Sequence, residues 1–170
     1  MNASGLCISF IVAMLAENFV WAQNSCSPWI YRIESQKCYR RFCDDLEPED
    51  AQKACEKQGG NLVTICDAEE NDFVSMMGYV SNSYPSDANG RTWIGYYRNP
   101  NNKEQWLWRS GSTCKYTNWK QGEPSGDGDY VQLYTWHLGT GENRQFWNDG
   151  TVKGLYFICE RSTCPQEDVE

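Results

Sequence analysis

The chain has 170 residues, 40% hydrophobic and 14% aromatic, which is enough apolar material for one well-packed domain and hardly for two. Its formal charge of −8 argues against nucleic acid or an anionic membrane as the main partner, because both reward a basic face. An acidic balance suits instead a soluble protein with sites for cations.

Residues 1–22 read as a secretory signal: an apolar run from Leu6 to Leu15 precedes the small residues Val20 and Ala22, spaced for cleavage before Gln23. The run is too short to span a bilayer and is broken by Glu17 and Asn18, so no membrane insertion is expected. Cleavage would remove Cys7 and leave eight of the nine cysteines, an even number that points to disulfides in a secreted, extracellular protein. Residues 23–170 then form a single domain with a short polar tail.

Cys26 and Cys38 flank a polar turn before the alternating Tyr39-Arg40-Arg41-Phe42, a pattern that predicts a disulfide-closed hairpin leading into a strand. Pro48-Glu49-Asp50 opens a helix and Gly59-Gly60 stops it, with Cys55 on its buried face. Leu62-Val63-Thr64-Ile65 is a strand. Asp67 caps a second helix, whose Phe73, Val74 and Met77 fall at helical spacing. After a loop over residues 82–90, strands are expected at Trp93-Ile94-Gly95-Tyr96 and Gln105-Trp106-Leu107-Trp108-Arg109. From Ser110 to Phe146 isolated aromatics stand among Gly, Asn, Asp and Thr, and a loop region that long in a compact domain is usually functional. The last strand runs from Gly154 to Cys159, and Trp93, Trp106, Trp108, Trp119 and Trp147 are expected in the core.

In order and spacing, Cys26/Cys38, Cys55, Trp93-Ile94-Gly95, Trp106-Leu107-Trp108, Tyr116-Thr117-Asn118-Trp119, Glu123-Pro124-Ser125, Trp147-Asn148-Asp149 and Phe157-Ile158-Cys159-Glu160 resemble a C-type lectin-like domain. The resemblance implies an α+β fold with two helices, two small antiparallel sheets and a long loop region that carries calcium and sugar. It also implies that Cys55 pairs with Cys159 and Cys26 with Cys38. The sequence departs from the family pattern at two places. Tyr130 stands where the family has the first cysteine of a second core disulfide, and no cysteine follows Trp147-Asn148-Asp149. The first metal motif ends in Ser125 rather than an amide or acid, and the family's next ligand, a glutamate, falls on Gly128.

Carried over residue by residue, the resemblance implies a calcium held by Glu123, Asn148 and Asp149, with Ser125 as a weaker hydroxyl donor and Asp127 or Asp129 in place of the glutamate. The same side chains, Glu123, Ser125, Asn148 and Asp149, would hold two vicinal hydroxyls of a hexose on that ion, and a motif beginning with Glu resembles mannose- and fucose-type binders. A cis peptide is expected before Pro124, as in the family. Pro, Ser, Asn, Asp and Gly are also what ordinary turns use, so the residues alone leave a plain-turn reading open. Trp136 in the insertion before Asn148 could stack on a pyranose, although a solvated loop is the plainer reading. His137 has no partner at zinc-ligand spacing, and with neither a phosphate loop nor a nucleophile elbow the chain does not read as an enzyme. The competing class is a protein-, matrix- or ice-binding domain without sugar specificity. Cys43, Cys66, Cys114 and Cys164 lie outside the family framework; Cys164 is placed to bridge back to Cys43 or Cys66, and the polar setting of Cys114 leaves two alternatives, a disulfide-linked homodimer and an ordinary intrachain bridge, which an even count of four permits.

Overall fold

A computed structural model describes residues 27–78, 90–135, 145–151 and 153–165. Residues 1–26, which include the leader-like stretch and Cys26, the insertion around Trp136 and the extreme tail lie outside them. In chain order the elements are β1 (Ile30–Arg32), β2 (Lys37–Leu46), α1 (Pro48–Lys57), β3 (Asn61–Leu62), α2 (Ala68–Gly78), β4 (Arg91–Arg98), β5 (Trp106–Trp108), β6 (Tyr130–Tyr134), β7 (Trp147–Asp149) and β8 (Leu155–Arg161). No helix among the described residues is long and apolar enough to cross a membrane.

The helices begin and end where their sequences dictate. Pro48 starts α1 with Glu49 and Asp50 in the first turn, and Gly59 at φ 76° stops it, a left-handed conformation that costs glycine little. The Asp67 carboxylate accepts the Glu70 N–H at 2.6 Å and so caps α2. Two antiparallel groups of strands follow. One pairs β1 with β2 and β2 with β8; the other pairs β4 with both β5 and β6, and β6 with β7. They meet in a short parallel contact, Thr92 with Tyr156 and Trp93 with Phe157, which merges the two expected sheets into one eight-stranded array: six strands run in the order β1-β2-β8-β4-β6-β7, with β3 paired to β8 and β5 to β4 off that path.

Two apolar clusters fill the domain. Phe42, Ala51, Cys55, Trp93 and Phe157 pack between α1 and the β2–β8 pair, while Tyr39, Val74, Ile94, Trp108, Leu133 and Trp147 pack against α2. Trp93, Trp108 and Trp147 are buried as expected. Trp106 and Trp119 are only half-buried, because they form the outer edge of an aromatic cluster around Tyr96 that ends beside the candidate site. The Trp147 ring is fully buried, and its indole N–H donates to Asn71 Oδ1 at 2.8 Å, so α2 fixes the strand that carries Asn148 and Asp149.

The disulfides correct part of the sequence reading. Cys55 is bonded to Cys159, joining α1 to β8. Cys38 is bonded to Cys164 and not to Cys26: β2 lies between β1 and β8, Cys38 stands opposite Arg161, and three residues later the departing chain brings Cys164 to a Cα–Cα distance of 5.3 Å. Cys66 is bonded to Cys114 within the chain, which also removes Cys66 as a partner for Cys164 and Cys114 as the proposed interchain link. Although its sequence neighbours are polar, Cys114 packs against the α2-side core, with its Sγ near the Ile65 carbonyl. Cys43 is also disulfide-bonded. Cys114→Ser is therefore expected to leave the protein a monomer on a non-reducing gel and to lower its unfolding free energy by about 2–4 kcal/mol in a denaturant titration, the typical contribution of such a crosslink.

Candidate functional site

The core reaches the site through Trp147. Its backbone N–H donates to Asn118 O at 2.8 Å and its carbonyl accepts the Lys120 N–H at 2.9 Å, so the segment leading to Glu123 is pinned along β7. The chain then turns back, with the Glu123 N–H bonded to Lys120 O at 2.9 Å and Gly122 at φ 89°. The Glu123–Pro124 peptide is cis. The loop over 125–128 returns to β6, whose Val131 and Gln132 pair with Asp149 and Asn148.

Asp149 is fully buried, and its carboxylate organises this loop. Oδ1 accepts the Ser125 N–H and Oδ2 the Gly126 N–H, both at 2.8 Å. Oδ2 also accepts Arg98 Nη2 at 2.8 Å. Glu123 Oε2 accepts the same Ser125 N–H at 2.8 Å. As a result, oxygens of Glu123, Asp127 and Asp149 lie within 4.8 Å of one another. A hard cation bound at about 2.3–2.6 Å holds its ligand oxygens no more than about 5 Å apart, so these three carboxylates fit such an ion. Neither Glu123 nor Asp127 makes an ion pair among the described residues, which leaves their charge available.

The other residues singled out in the sequence take different places. Ser125 is exposed and contributes its backbone N–H to the two carboxylates. Asn148 is half-buried on β7 beside Gly150. Of the two acids considered for the missing glutamate, the structure brings Asp127 to the carboxylate group. Asp129 turns away to pair with Arg98 Nε at 3.1 Å and Lys103 Nζ at 2.8 Å. Gly128 packs directly on Gly150: a Cβ there would come within 2.5 Å of its backbone N and O, so this loop has no room for a glutamate at 128. Trp136, His137 and the insertion that follows lie outside the described residues.

Two groups escaped the sequence reading. Tyr130, at the position of the missing cysteine, donates its hydroxyl to Glu49 on α1 at 2.8 Å, and Arg109 pairs with the same carboxylate. Burial pushes the Glu49 carboxyl up, but the bonds from Arg109 and Tyr130 outweigh it and hold the group below its usual range. Arg98, at the end of β4, is the other. It is 51 residues from Asp149 in sequence, and no motif marks it. A groove of about 360 Å³ opens beside the carboxylates, with Glu47, Pro48, Trp93, Asp127 and Tyr130 in its walls.

Residues 44–161 match the profile of the lectin C-type domain. The chain belongs to the C-type lectin family. This C-type lectin chain is 32% identical over 142 residues to a C-type lectin mannose-binding isoform of Oxyuranus scutellatus, covering 82% of this chain and 85% of that one. It is 33% identical over 144 residues to the galactose-specific lectin nattectin of Thalassophryne nattereri, with 83% of each chain covered. Among solved structures, human lithostathine is similar with a TM-score of 0.64 and 27% identity, over 83% of this C-type lectin and 98% of lithostathine.

The contact between the two glycines is a specific weak point of the site. Gly128→Ala is expected to push the loop off Gly150 and to lower stability by about 1–3 kcal/mol, the usual effect of overpacking, measured as a fall in the thermal midpoint.

Proposed function

We propose that this C-type lectin is a secreted, calcium-dependent carbohydrate-binding protein for mannose- or fucose-type sugars. The observation that carries the reading is the convergence of the Glu123, Asp127 and Asp149 carboxylates beside an exposed loop. Glu123, Asp127 and Asp149 would hold the calcium, with the Asn148 amide and the Ser125 hydroxyl as neutral oxygen donors. When bound, calcium would supply an electrophilic centre for two vicinal sugar hydroxyls. Glu123 would accept a hydrogen bond from one hydroxyl, and the Asn148 amide would donate to the oxygen of a hydroxyl. Ser125 has one O–H where the family's amide has two N–H donors, so the network is poorer by a donor on that side.

One relative is named mannose-binding and another galactose-specific, so the relatives support glycan binding more than they support a sugar class. The choice of mannose or fucose rests on the glutamate that opens Glu123-Pro124-Ser125. Export rests on the leader-like residues 1–22 and on the disulfides, which persist in oxidising compartments.

The protein should be retained on a mannose or fucose resin in calcium and released by chelator, and Glu123→Ala or Asp127→Ala should abolish retention while leaving the thermal midpoint in chelator unchanged. Retention that chelator does not disturb would refute the calcium reading and favour a matrix-binding role; glycan-array silence with calcium bound would refute the sugar reading.

A further inference from the structure

Cation sites made of clustered carboxylates carry a cost when empty, since like charges at short range repel and a carboxylate removed from water needs a counter-charge. Here Asp149 is fully buried with Glu123 and Asp127 beside it, so its charge needs a partner from within the protein. Among the described residues, Arg98 is the one cation within ion-pair distance of Asp149.

Its guanidinium is used on nearly every side. Nη2 reaches Asp149 Oδ2 at 2.8 Å and the Gly128 carbonyl at 3.3 Å. Nε lies 3.1 Å from Asp129 Oδ1, and Nη1 donates to the Lys103 carbonyl at 3.1 Å. The planar group lies 4.4 Å from the centre of the Trp106 ring, so it is held in position as well as charged. Its side chain is only 15% exposed, which weakens the screening of these contacts by water. Asp129 immediately precedes Tyr130, the position of the missing cysteine, and Asp149 ends the Trp147-Asn148-Asp149 motif after which the second cysteine is missing. Arg98 thus joins by polar contacts the two segments left without a disulfide.

We propose that Arg98 is a built-in cation and clamp of the sugar-site loop, holding residues 125–129 on Asp149 when no metal is bound. It is a positioning residue, acting through Asp149 and the loop and making no sugar contact itself. The proposal rests on the calcium reading above only in supposing that the same loop serves the ion. In the metal-free protein, the Ser125 and Gly126 amides are protected because Asp149 accepts them, and Asp149 stays buried because Arg98 neutralises it.

The test is amide hydrogen exchange of the full mature chain in chelator, read by NMR for wild type, Arg98→Met and Arg98→Lys. Arg98→Met should speed exchange at Ser125 and Gly126 by about tenfold or more, while the Trp147 and Val131 amides keep their rates, because opening is then local. Arg98→Lys retains the charge without the fork and should fall between the two. Unchanged Ser125 and Gly126 rates in Arg98→Met would overturn the proposal, as would identical acceleration in the Met and Lys variants accompanied by loss of protection at Trp147, which would mark general destabilisation. Calcium added to Arg98→Met separates the two readings. Recovery of protection supports both, whereas no recovery after local acceleration supports the Arg98 clamp and counts against the calcium site.

Discussion

A carboxylate buried without solvent is tolerated only where charged and hydrogen-bonding partners replace its lost hydration, and Asp149 meets that condition with two backbone N–H groups and one guanidinium. Much of the site follows from this. Because Ser125 and Gly126 must present their amides to it, the loop after Pro124 folds over the end of β7. That brings Glu123 and Asp127 to the same point and leaves Asp127 exposed on the side from which a ligand would approach.

The scaffold that places Asp149 is apolar and stiff. Trp147 is locked by burial and by its indole bond to Asn71, whose amide also donates to the Gln145 carbonyl at 3.0 Å, so α2 holds the start of β7 and the residues leading into it. The two halves of the domain are secured differently. Disulfides Cys38–Cys164 and Cys55–Cys159 staple β2, α1 and the end of β8. The half that holds the site has the Cys66–Cys114 disulfide and, nearer the site loop, polar bridges from Tyr130 and Arg109 to Glu49 and from Arg98 to Asp129 and Asp149. Polar bridges of this kind break and re-form more readily than a covalent bond, a property suited to a surface that must accommodate a ligand.

The acidic group differs in make-up from the pattern that the sequence resembles. The contact of Gly128 with Gly150 trades the glutamate's position for close backbone packing, and Asp127 brings a carboxylate to the group from one residue earlier. Asp129 is drawn away because Arg98 and Lys103 offer it two charge-assisted bonds. Positive charge from Arg98 within an acidic cluster lowers its net negative charge, and that bears on how strongly any further cation is attracted.

Much of the architecture could be read from the chain because it is governed by local patterns. Pro48 and Gly59 bound one helix, Asp67 caps the other, and the aromatic strands alternate around a buried tryptophan, all of which depend on near neighbours in sequence. Glu123 and Asp149 could be singled out from the sequence because their spacing resembles a family motif, and the structure brings their carboxylates together with that of Asp127. Which cysteines pair, which aspartate joins the carboxylates and where the neutralising charge comes from were decided by the tertiary structure. Cys38 lies nearer in sequence to Cys26 than to Cys164, yet strand register brings Cys164 to it across a separation of 126 residues. Arg98 reaches Asp149 because β4, β6 and β7 are consecutive strands of one sheet, and contacts across a sheet are set by register and not by distance along the chain.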